Sequence, residues 1–306
     1  MKLVILEKLE MTDQQIRRLS ELGDVAWYDS STEQECRERI QGADVVVVDW
    51  IDPSPFILQM KSPSLLALMS SGYAWVQHRQ EARERGVLIS NVPGYATEAV
   101  AEHLLGLVFC VARKIMVGDR DLRAGKKQKG YLRGVELKGR RLGVIGLGQI
   151  GLRLAELGRL IGMEVVTYNR TPKRMKGIGD VSLEELLSSS EIVAICCPLN
   201  DSSRGMLDKT SLCRMKEGAI LVGATWGVVS LEHLLPLLRS KRIAFGFDVA
   251  VEGSEIALPG ELLALDNVVV TPHIAFNTSE AKVRQVDTCI SNIEAFKEGR
   301  PTNVVD

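Results

Sequence analysis

The sequence predicts an α/β protein built from two doubly wound parallel-sheet domains. Two observations support this fold class. Short apolar runs that suit buried strands alternate with amphipathic helical patterns along almost the whole chain. A glycine-rich turn lies between one such strand and one such helix near the middle of the chain, an arrangement typical of parallel sheets that bind a ligand at a strand end.

Length and composition limit the functional classes. The 306 residues suit about two domains of ordinary size. A formal net charge of −1 argues against nucleic acid or a membrane surface as partner. Charges at Glu7, Lys8 and Glu10 interrupt the apolar N-terminus, so we expect a strand there and not a signal peptide. The six cysteines have no metal-ligand spacing, so we expect no metal site, free thiols and a cytoplasmic protein.

The first ninety residues alternate regularly between the two kinds of pattern. The predicted strands cover residues 4–6, 25–28, 43–48, 65–69 and 87–92. Predicted helices cover residues 13–22 and 32–40, a short helix follows Pro55, and another ends at Arg85. Thr12 or Asp13 is the expected cap of the first helix. This alternation indicates a parallel sheet with helices on both faces.

The glycine-rich turn is the strongest functional motif. A strand at 142–145 leads into Gly146, Leu147, Gly148, Gln149, Ile150 and Gly151, an amphipathic helix follows, and a second strand covers 163–168. In such a unit the first glycine permits the turn. The second admits a pyrophosphate to backbone N–H groups, and the third lets the helix pack closely. The motif predicts a Rossmann domain that binds a dinucleotide at a helix N-terminus.

The choice of cofactor is expected just after that second strand. A carboxylate there would bond the adenosine ribose and repel a 2′-phosphate. This chain has Asn169, Arg170 and Thr171 instead, and Lys173 and Arg174 follow. A guanidinium and a hydroxyl suit a phosphate, so the sequence favours NADP(H), with NAD(H) as the alternative.

The rest of the chain continues the alternation of strands and helices and includes a basic connector. A long helix is predicted over 97–113, and the basic segment 126–141 is interpreted as a solvated connector. Further strands are predicted at 191–197, 219–222, 243–247 and 268–270, and helices at 231–239 and 279–297.

Five motifs resemble those of one known family, in the same order and spacing. They are SNVPGYATEAVAEH (90–103), ELKGRRLGVIGLGQIG (136–151), CPLNDSSRGML (197–207), GFDV (246–249) and TPHIA (271–275). The chain resembles the D-isomer-specific 2-hydroxyacid dehydrogenases, which include glyoxylate/hydroxypyruvate reductases and phosphoglycerate dehydrogenase. The resemblance implies a flavodoxin-like substrate domain of residues 1–95 and 277–306 and an inserted NAD(P)-binding Rossmann domain of residues 96–276. It also implies a homodimer and a small 2-oxo acid substrate.

The resemblance also implies the residues of the site. His273 in TPHIA matches the acid/base histidine, and Ser71, Gly72 and Tyr73 match the loop whose N–H groups bind the substrate carboxylate. Asp248 would contact the nicotinamide side. Besides the residues of the glycine turn and of the 169–171 segment, the implied cofactor contacts are Thr97, Cys197, Pro198, Ala224, Thr225, Trp226, Asp248, His273 and Ala275.

Two catalytic positions depart from the family pattern. The family arginine is replaced by Thr225 or Trp226, depending on a one-residue gap, and Arg79 and Arg204 are other candidate cations. The family glutamate position holds Gly253, so Glu252, one residue earlier, is the predicted partner of His273.

The substrate loop departs as well, since Ala74 stands where the family has an aspartate. Trp75 and Trp226 are candidates for an apolar pocket. The main hypothesis is therefore a nicotinamide-dependent oxidoreductase with an altered substrate site. The alternatives are a catalytically altered, dinucleotide-sensing regulatory protein, and a reductase of an imine or of a carbonyl compound without a carboxylate.

Overall fold

The computed structural model of the chain describes residues 1–127, 130–173, 175–249 and 258–305. The chain divides into two compact units. Unit 1 combines Met1–Ala96 with Asn277–Asp306, and unit 2 is Thr97–Phe276. Unit 1 contains a five-stranded sheet and unit 2 a seven-stranded sheet, and the named strands pair in parallel throughout. The predicted fold class is confirmed.

The sheet of unit 1 has the strand order β2-β1-β3-β4-β5. The strands are β1 (Lys2–Ile5), β2 (Asp24–Trp27), β3 (Val45–Val48), β4 (Ser64–Leu68) and β5 (Val87–Ser90). The helices are α1 (Asp13–Leu22), α2 (Glu33–Arg39), α3 (Arg79–Glu84) and α11 (Ser279–Lys297), with a 3-10 helix at Ile57–Gln59.

Unit 1 is held together by apolar strands and by a link between its first and last helices. Each residue of β3 and β4 is buried, as expected for strands covered on both faces. Thr12 caps α1 in a capping box with Gln15. The Gln15 amide also donates to the Val283 carbonyl at 3.0 Å, and Arg18 donates to Glu294 at 3.0 Å. These bonds attach the C-terminal helix to the N-terminal part of the chain.

The sheet of unit 2 has the strand order β12-β11-β10-β9-β6-β7-β8. The strands are β6 (Arg141–Ile145), β7 (Glu164–Tyr168), β8 (Gly179–Asp180), β9 (Ile192–Ile195), β10 (Ala219–Gly223), β11 (Ile243–Asp248) and β12 (Val268–Thr271). The helices are α4 (Thr97–Ala112), α5 (Ile115–Arg123), α6 (Gln149–Leu160), α7 (Leu183–Ser189), α8 (Lys209–Cys213), α9 (Leu231–Arg239) and α10 (Gly260–Leu263), with a 3-10 helix at Gly130–Leu132.

The core of unit 2 surrounds its central strands. All residues of β9 and β10 are buried, and Phe245 stacks on Phe247 with ring centroids 5.0 Å apart. The sequence order reverses between β6 and β9, which lie side by side, and such a reversal is where open α/β sheets bind ligands. Within the described residues, no helix is long and apolar enough to span a membrane.

Candidate active site

The glycine turn joins β6 to α6 at the point where the strand order reverses. Gly146 has φ +94°, and a Cβ there would lie 2.7 Å from the Cys197 backbone. A Cβ at Gly151 would lie 2.0 Å from the Gly146 carbonyl oxygen. Side chains are therefore excluded at both positions, the first also by its left-handed backbone conformation.

Gly148 differs from its two neighbouring glycines because it faces open space. A Cβ built there would meet no atom within 4 Å. Gly148 is the N-cap of α6, and no side chain caps this twelve-residue helix. The first N–H groups of a helix have no intrahelical partners, and the helix dipole favours an anion there. This open helix end fits the phosphates of a dinucleotide.

The residues after β7 hold the glycine turn. Asn169 accepts the Leu147 N–H through Oδ1 at 2.6 Å, and Lys173 donates from Nζ to the Leu147 carbonyl at 3.0 Å. The Asn169 Nδ2 group is buried and has no hydrogen-bond partner in the part of the chain that the structure describes. A buried donor without a partner is costly, so this amide fits a ligand that supplies an acceptor.

The predicted phosphate-binding side chains lie next to this amide in sequence. Arg170 is exposed and donates from Nη1 to the Ser202 hydroxyl at 2.9 Å, and Thr171 is also exposed. Arg174 lies outside the described residues. Ser202 belongs to the loop after β9, so Arg170 connects the loops that follow two strands of the sheet.

Two further predicted cofactor contacts border the glycine turn. The Thr97 hydroxyl lies 3.3 Å from the Gln149 side-chain oxygen, at the N-terminus of α6. Cys197 follows β9 against Gly146, and Pro198 comes next. Burial raises the pKa of the Cys197 thiol, so it is a neutral thiol at neutral pH.

His273 lies on a tight turn after β12 that a buried carboxylate organises. Asp248, 1% exposed, accepts the Thr271 hydroxyl at 2.6 Å and the Ile274 N–H at 2.9 Å through Oδ1. Its Oδ2 accepts the Ala275 N–H at 2.8 Å. His273 itself is exposed and has φ +53°, a conformation that costs a non-glycine residue about 1–3 kcal/mol. Asp248 thus fixes the strained turn that presents the predicted acid/base.

A second histidine reaches the same turn and had no role in the sequence analysis. His103 on α4 has its Nε2 2.9 Å from the Thr271 hydroxyl oxygen and 3.9 Å from Asp248 Oδ1. The motif AVAEH contains this residue, but its partner lies 168 positions away in the chain. Only the pairing of α4 with the end of β12 reveals the connection.

The segment after β10 takes the place of the expected arginine. Ala224, Thr225 and Trp226 are all half-buried. The Trp226 ring packs edge-on against Phe247, with centroids 5.3 Å apart, and against Phe245 at 6.4 Å. The indole therefore packs on the core of unit 2, and the segment supplies no guanidinium. Glu252, the predicted partner of His273, lies outside the described residues, as does Gly253.

In unit 1, the predicted substrate loop follows β4. Ser71 and Gly72 are exposed, and Tyr73 packs against the apolar core. The Gly72 carbonyl accepts the Ser70 hydroxyl at 2.7 Å and the Trp75 indole N–H at 3.0 Å. The Gly72 carbonyl therefore acts as the acceptor that shapes the loop. The Trp75 side chain is 40% exposed, and the hydrogen bond from its indole N–H holds it in place.

The two arginines named as replacement cations have different surroundings. Arg79 donates to the carbonyls of Tyr73 and Ala74, both at 3.3 Å, and to that of Val76. It therefore supports the 73–76 segment of unit 1. Arg204 is exposed in the loop after β9.

A half-buried charge cluster at the carboxyl end of β3 was not predicted from the sequence. Glu7 accepts the N–H groups of Asp49 at 2.7 Å, Trp50 at 3.0 Å and Ile51 at 3.1 Å. Lys282 lies 3.5 Å from the Asp49 carboxylate. Burial raises the pKa of the Asp49 carboxyl against the opposing effect of Lys282. Glu7 and Asp49 were not noticed because they follow different strands of the sheet.

The geometry of unit 2 defines a class of protein. An open parallel sheet, a glycine turn at a bare helix N-terminus and a histidine fixed on a strand-end turn are the parts of a dinucleotide-dependent oxidoreductase. The profile of the D-isomer specific 2-hydroxyacid dehydrogenase, NAD binding domain, matches residues 105–275. The chain therefore belongs to the D-isomer-specific 2-hydroxyacid dehydrogenase family, which confirms the resemblance found in the sequence.

Known proteins align with the whole chain. A glycerate dehydrogenase of Methylorubrum extorquens is 31% identical over 100% of this chain and 99% of its own. A hydroxypyruvate reductase of Blautia hydrogenotrophica is 30% identical over 100% of both chains. Among solved structures, an acyclic imino acid reductase in complex with NADPH and D-Arg superposes with a TM-score of 0.89 at 27% identity, over 100% of both chains.

Membership of this family establishes the general activity. The chain is an NAD(P)-dependent oxidoreductase that acts on a CH–OH or carbonyl group, as predicted. Among the described residues, no group of three or more His, Cys, Asp or Glu side chains could hold a metal ion.

Proposed function

We propose that this enzyme reduces a small 2-oxo acid, such as glyoxylate or hydroxypyruvate, and prefers NADP(H). The observation that carries the proposal is the turn of His273, which Asp248 holds in a strained conformation with three hydrogen bonds. Strain that the surroundings maintain is typical of functional positions. Full-length relatives named glycerate dehydrogenase and hydroxypyruvate reductase support this substrate class.

The roles of the chain's own residues follow from which group must give or take a proton in each direction of the reaction. The bound nicotinamide supplies or receives the hydride. In reduction, protonated His273 gives a proton to the oxygen of the substrate carbonyl, and in oxidation neutral His273 removes that proton from the hydroxyl. Glu252 is the proposed carboxylate that favours the protonated imidazole. In unit 1, the N–H groups of Ser71, Gly72 and Tyr73 are the proposed donors to the substrate carboxylate.

The preference for NADP(H) rests on the residues after β7. Four groups there suit a phosphate. They are the buried Nδ2 amide of Asn169, the guanidinium of Arg170, the hydroxyl of Thr171 and the Lys173 ammonium near the glycine turn. No carboxylate occupies the 169–171 segment. Asp248, Ala275 and the 224–226 segment are proposed to border the nicotinamide half of the cofactor. Fluorescence titration with NADPH and with NADH tests the preference, and tighter binding of NADH would overturn it.

A substrate screen tests the proposed reaction. NADPH oxidation is measured with glyoxylate, hydroxypyruvate, simple aldehydes, ketones and preformed imines. We expect turnover of the 2-oxo acids. Binding of NADPH without turnover of any class would support the regulatory alternative instead.

A second candidate function is the reduction of an imine. It is favoured by the segment where the family has its substrate-binding arginine, which holds Thr225 or Trp226 at that position and packs the Trp226 ring on the core. A solved structure that superposes with a TM-score of 0.89 is an acyclic imino acid reductase. Turnover of imines in preference to their parent 2-oxo acids in the same screen would establish this reading.

We propose that the enzyme is a homodimer and that the second copy covers α4 and α5. Four large apolar side chains are exposed on these helices: Phe109, Ile115, Met116 and Leu122. Exposed apolar patches often mark interfaces. Sedimentation should give the mass of two copies for the native chain and of one copy for Leu122→Glu. Leu160→Glu, at an exposed leucine on α6, is the control variant, which should remain a dimer. A single-copy native mass would refute the dimer.

We also propose a cytoplasmic location. All six cysteines are free thiols, which suits a reducing compartment. Fractionation of source cells with an antibody to the chain would test this.

A further inference from the structure

The turn of His273 is connected to α4 through a chain of short hydrogen bonds. The Thr271 hydroxyl has one proton, and it donates that proton to Asp248 at 2.6 Å because a carboxylate accepts. The same hydroxyl oxygen lies 2.9 Å from His103 Nε2. With its proton committed to Asp248, Thr271 acts only as an acceptor toward the imidazole. His103 must therefore carry a proton on Nε2.

This arrangement fixes the direction of each bond between α4 and the turn. The imidazole N–H orients the Thr271 hydroxyl, and the hydroxyl occupies one lone pair of the Asp248 carboxylate. Two further lone pairs of that carboxylate accept the N–H groups of Ile274 and Ala275, which follow His273 directly. The His103 side chain is 21% exposed, so its bond is partly shielded from competing water.

We propose that His103 is a positioning residue for His273, acting through Thr271 and Asp248. The bond from His103 prevents the Thr271 hydroxyl from rotating away from Asp248, and the carboxylate then holds the left-handed backbone of His273. This inference rests on the proposed function, in which His273 is the proton donor. Small misplacements of a catalytic group lower the rate of the chemical step without weakening the binding of the cofactor.

The experiment combines NMR with steady-state kinetics on the full-length protein. The chain has only four histidines, so isotope-labelled histidine gives a spectrum in which each imidazole can be assigned. Four variants are compared: His103→Gln, His103→Leu, Thr271→Val and Thr167→Val. Gln keeps an N–H donor near the Nε2 position, and Leu removes it. Thr167 is a buried threonine on β7, so Thr167→Val is a matched control for Thr271→Val.

The expected results have two parts. In the native protein, the neutral form of His103 is the Nε2–H tautomer, and in His103→Leu and Thr271→Val the His273 signals shift while those of His78 and His233 stay. In these two variants kcat falls by about tenfold or more, with the KM for NADPH within about threefold of the native value. His103→Gln and Thr167→Val keep kcat within about threefold.

Several results would overturn the proposal. An Nδ1–H tautomer of native His103 would do so, as would unchanged His273 signals in His103→Leu. Equal losses of kcat in His103→Gln and His103→Leu, or a loss that follows the melting temperature alone, would also contradict it. If the native enzyme turns over no 2-oxo acid, the proposed function fails, but the NMR comparison still decides the role of His103.

Discussion

Asn169 accepts the Leu147 N–H at 2.6 Å through its side-chain oxygen, while its amide nitrogen is buried without a partner among the described residues. One side chain thus supports the glycine turn and offers a donor at the end of β7. A carboxylate would preserve the first function and replace the donor with a negative charge. Because Asn169 has both functions, a substitution at this position is the most direct test of the preference for NADP(H).

Asn169→Asp should reverse the cofactor preference. The new carboxylate still accepts from Leu147, but it repels a 2′-phosphate, so we expect NADPH affinity to fall by about tenfold or more while NADH affinity is kept or increased. Isothermal titration with both cofactors measures this. Asn303→Asp adds the same charge at an exposed asparagine in unit 1 and should leave both affinities unchanged. A parallel decrease for NADPH and NADH in Asn169→Asp would contradict the account.

Arg170→Ala should weaken NADPH selectively. A charge-assisted bond to phosphate contributes about 1.5–3 kcal/mol, which corresponds to roughly ten- to hundredfold in affinity. NADH, which has no 2′-phosphate, should bind the variant about as well as the native protein. Arg204→Ala removes an exposed arginine from the loop after β9 and is the control. Equal NADPH affinity in Arg170→Ala and native protein would exclude this phosphate contact.

Asp248→Asn should destabilise unit 2 and lower activity. The amide nitrogen takes the place of either Oδ2, where it faces the Ala275 N–H, or Oδ1, where it faces the Ile274 N–H and the Thr271 hydroxyl, so at least one hydrogen bond is lost at a buried site. We expect a loss of about 1–3 kcal/mol in the free energy of unfolding, measured in urea. Asp266→Asn, at an exposed ion pair with Arg120, should change it by less than about 1 kcal/mol. Equal stabilities of the two variants would argue against a fixed turn.

Asp49→Asn should alter the pH dependence of stability. Burial raises the pKa of the Asp49 carboxyl in the folded protein, so this group favours folding only while it is protonated. Its contribution is present below the ordinary carboxyl pKa of about 4 and is lost as the pH rises toward the raised folded value. Relative to the native protein, the free energy of unfolding of Asp49→Asn should therefore increase as the pH rises above about 4. Urea unfolding at a series of pH values measures it, and a difference that decreases with pH would contradict the raised pKa.

The helices and strands were predictable where hydrophobic periodicity was strong. The predicted helices at 13–22, 231–239 and 279–297 coincide with α1, α9 and α11. Helix α5 was not predicted, because Gly118 and the charged residues after it interrupt the apolar pattern and because the helix begins after Lys114 in a left-handed conformation. The short elements β8, α7, α8 and α10 were not predicted either, because they are too brief for periodicity to show.

The site was predictable only where its residues are adjacent in the chain. The glycine turn and the 169–171 segment are continuous motifs, and their site roles remain predictions. The contact between His103 and Thr271 joins positions 168 residues apart, so local patterns cannot show it. The packing of Trp226 on Phe247 likewise depends on the pairing of β10 with β11. Domain roles remain predictions as well, although the chain divides after Ala96 and after Phe276.

The central claim, that His273 is the proton donor of a 2-oxo acid reductase, is tested most directly by the rate of NADPH oxidation with glyoxylate or hydroxypyruvate. The native enzyme should turn over, and His273→Ala should lose about 10²–10⁴ in kcat with NADPH affinity within about threefold of native. His78→Gln, in unit 1, should keep the native rate. A native-like rate in His273→Ala, or no turnover of any 2-oxo acid by the native enzyme, would contradict the claim.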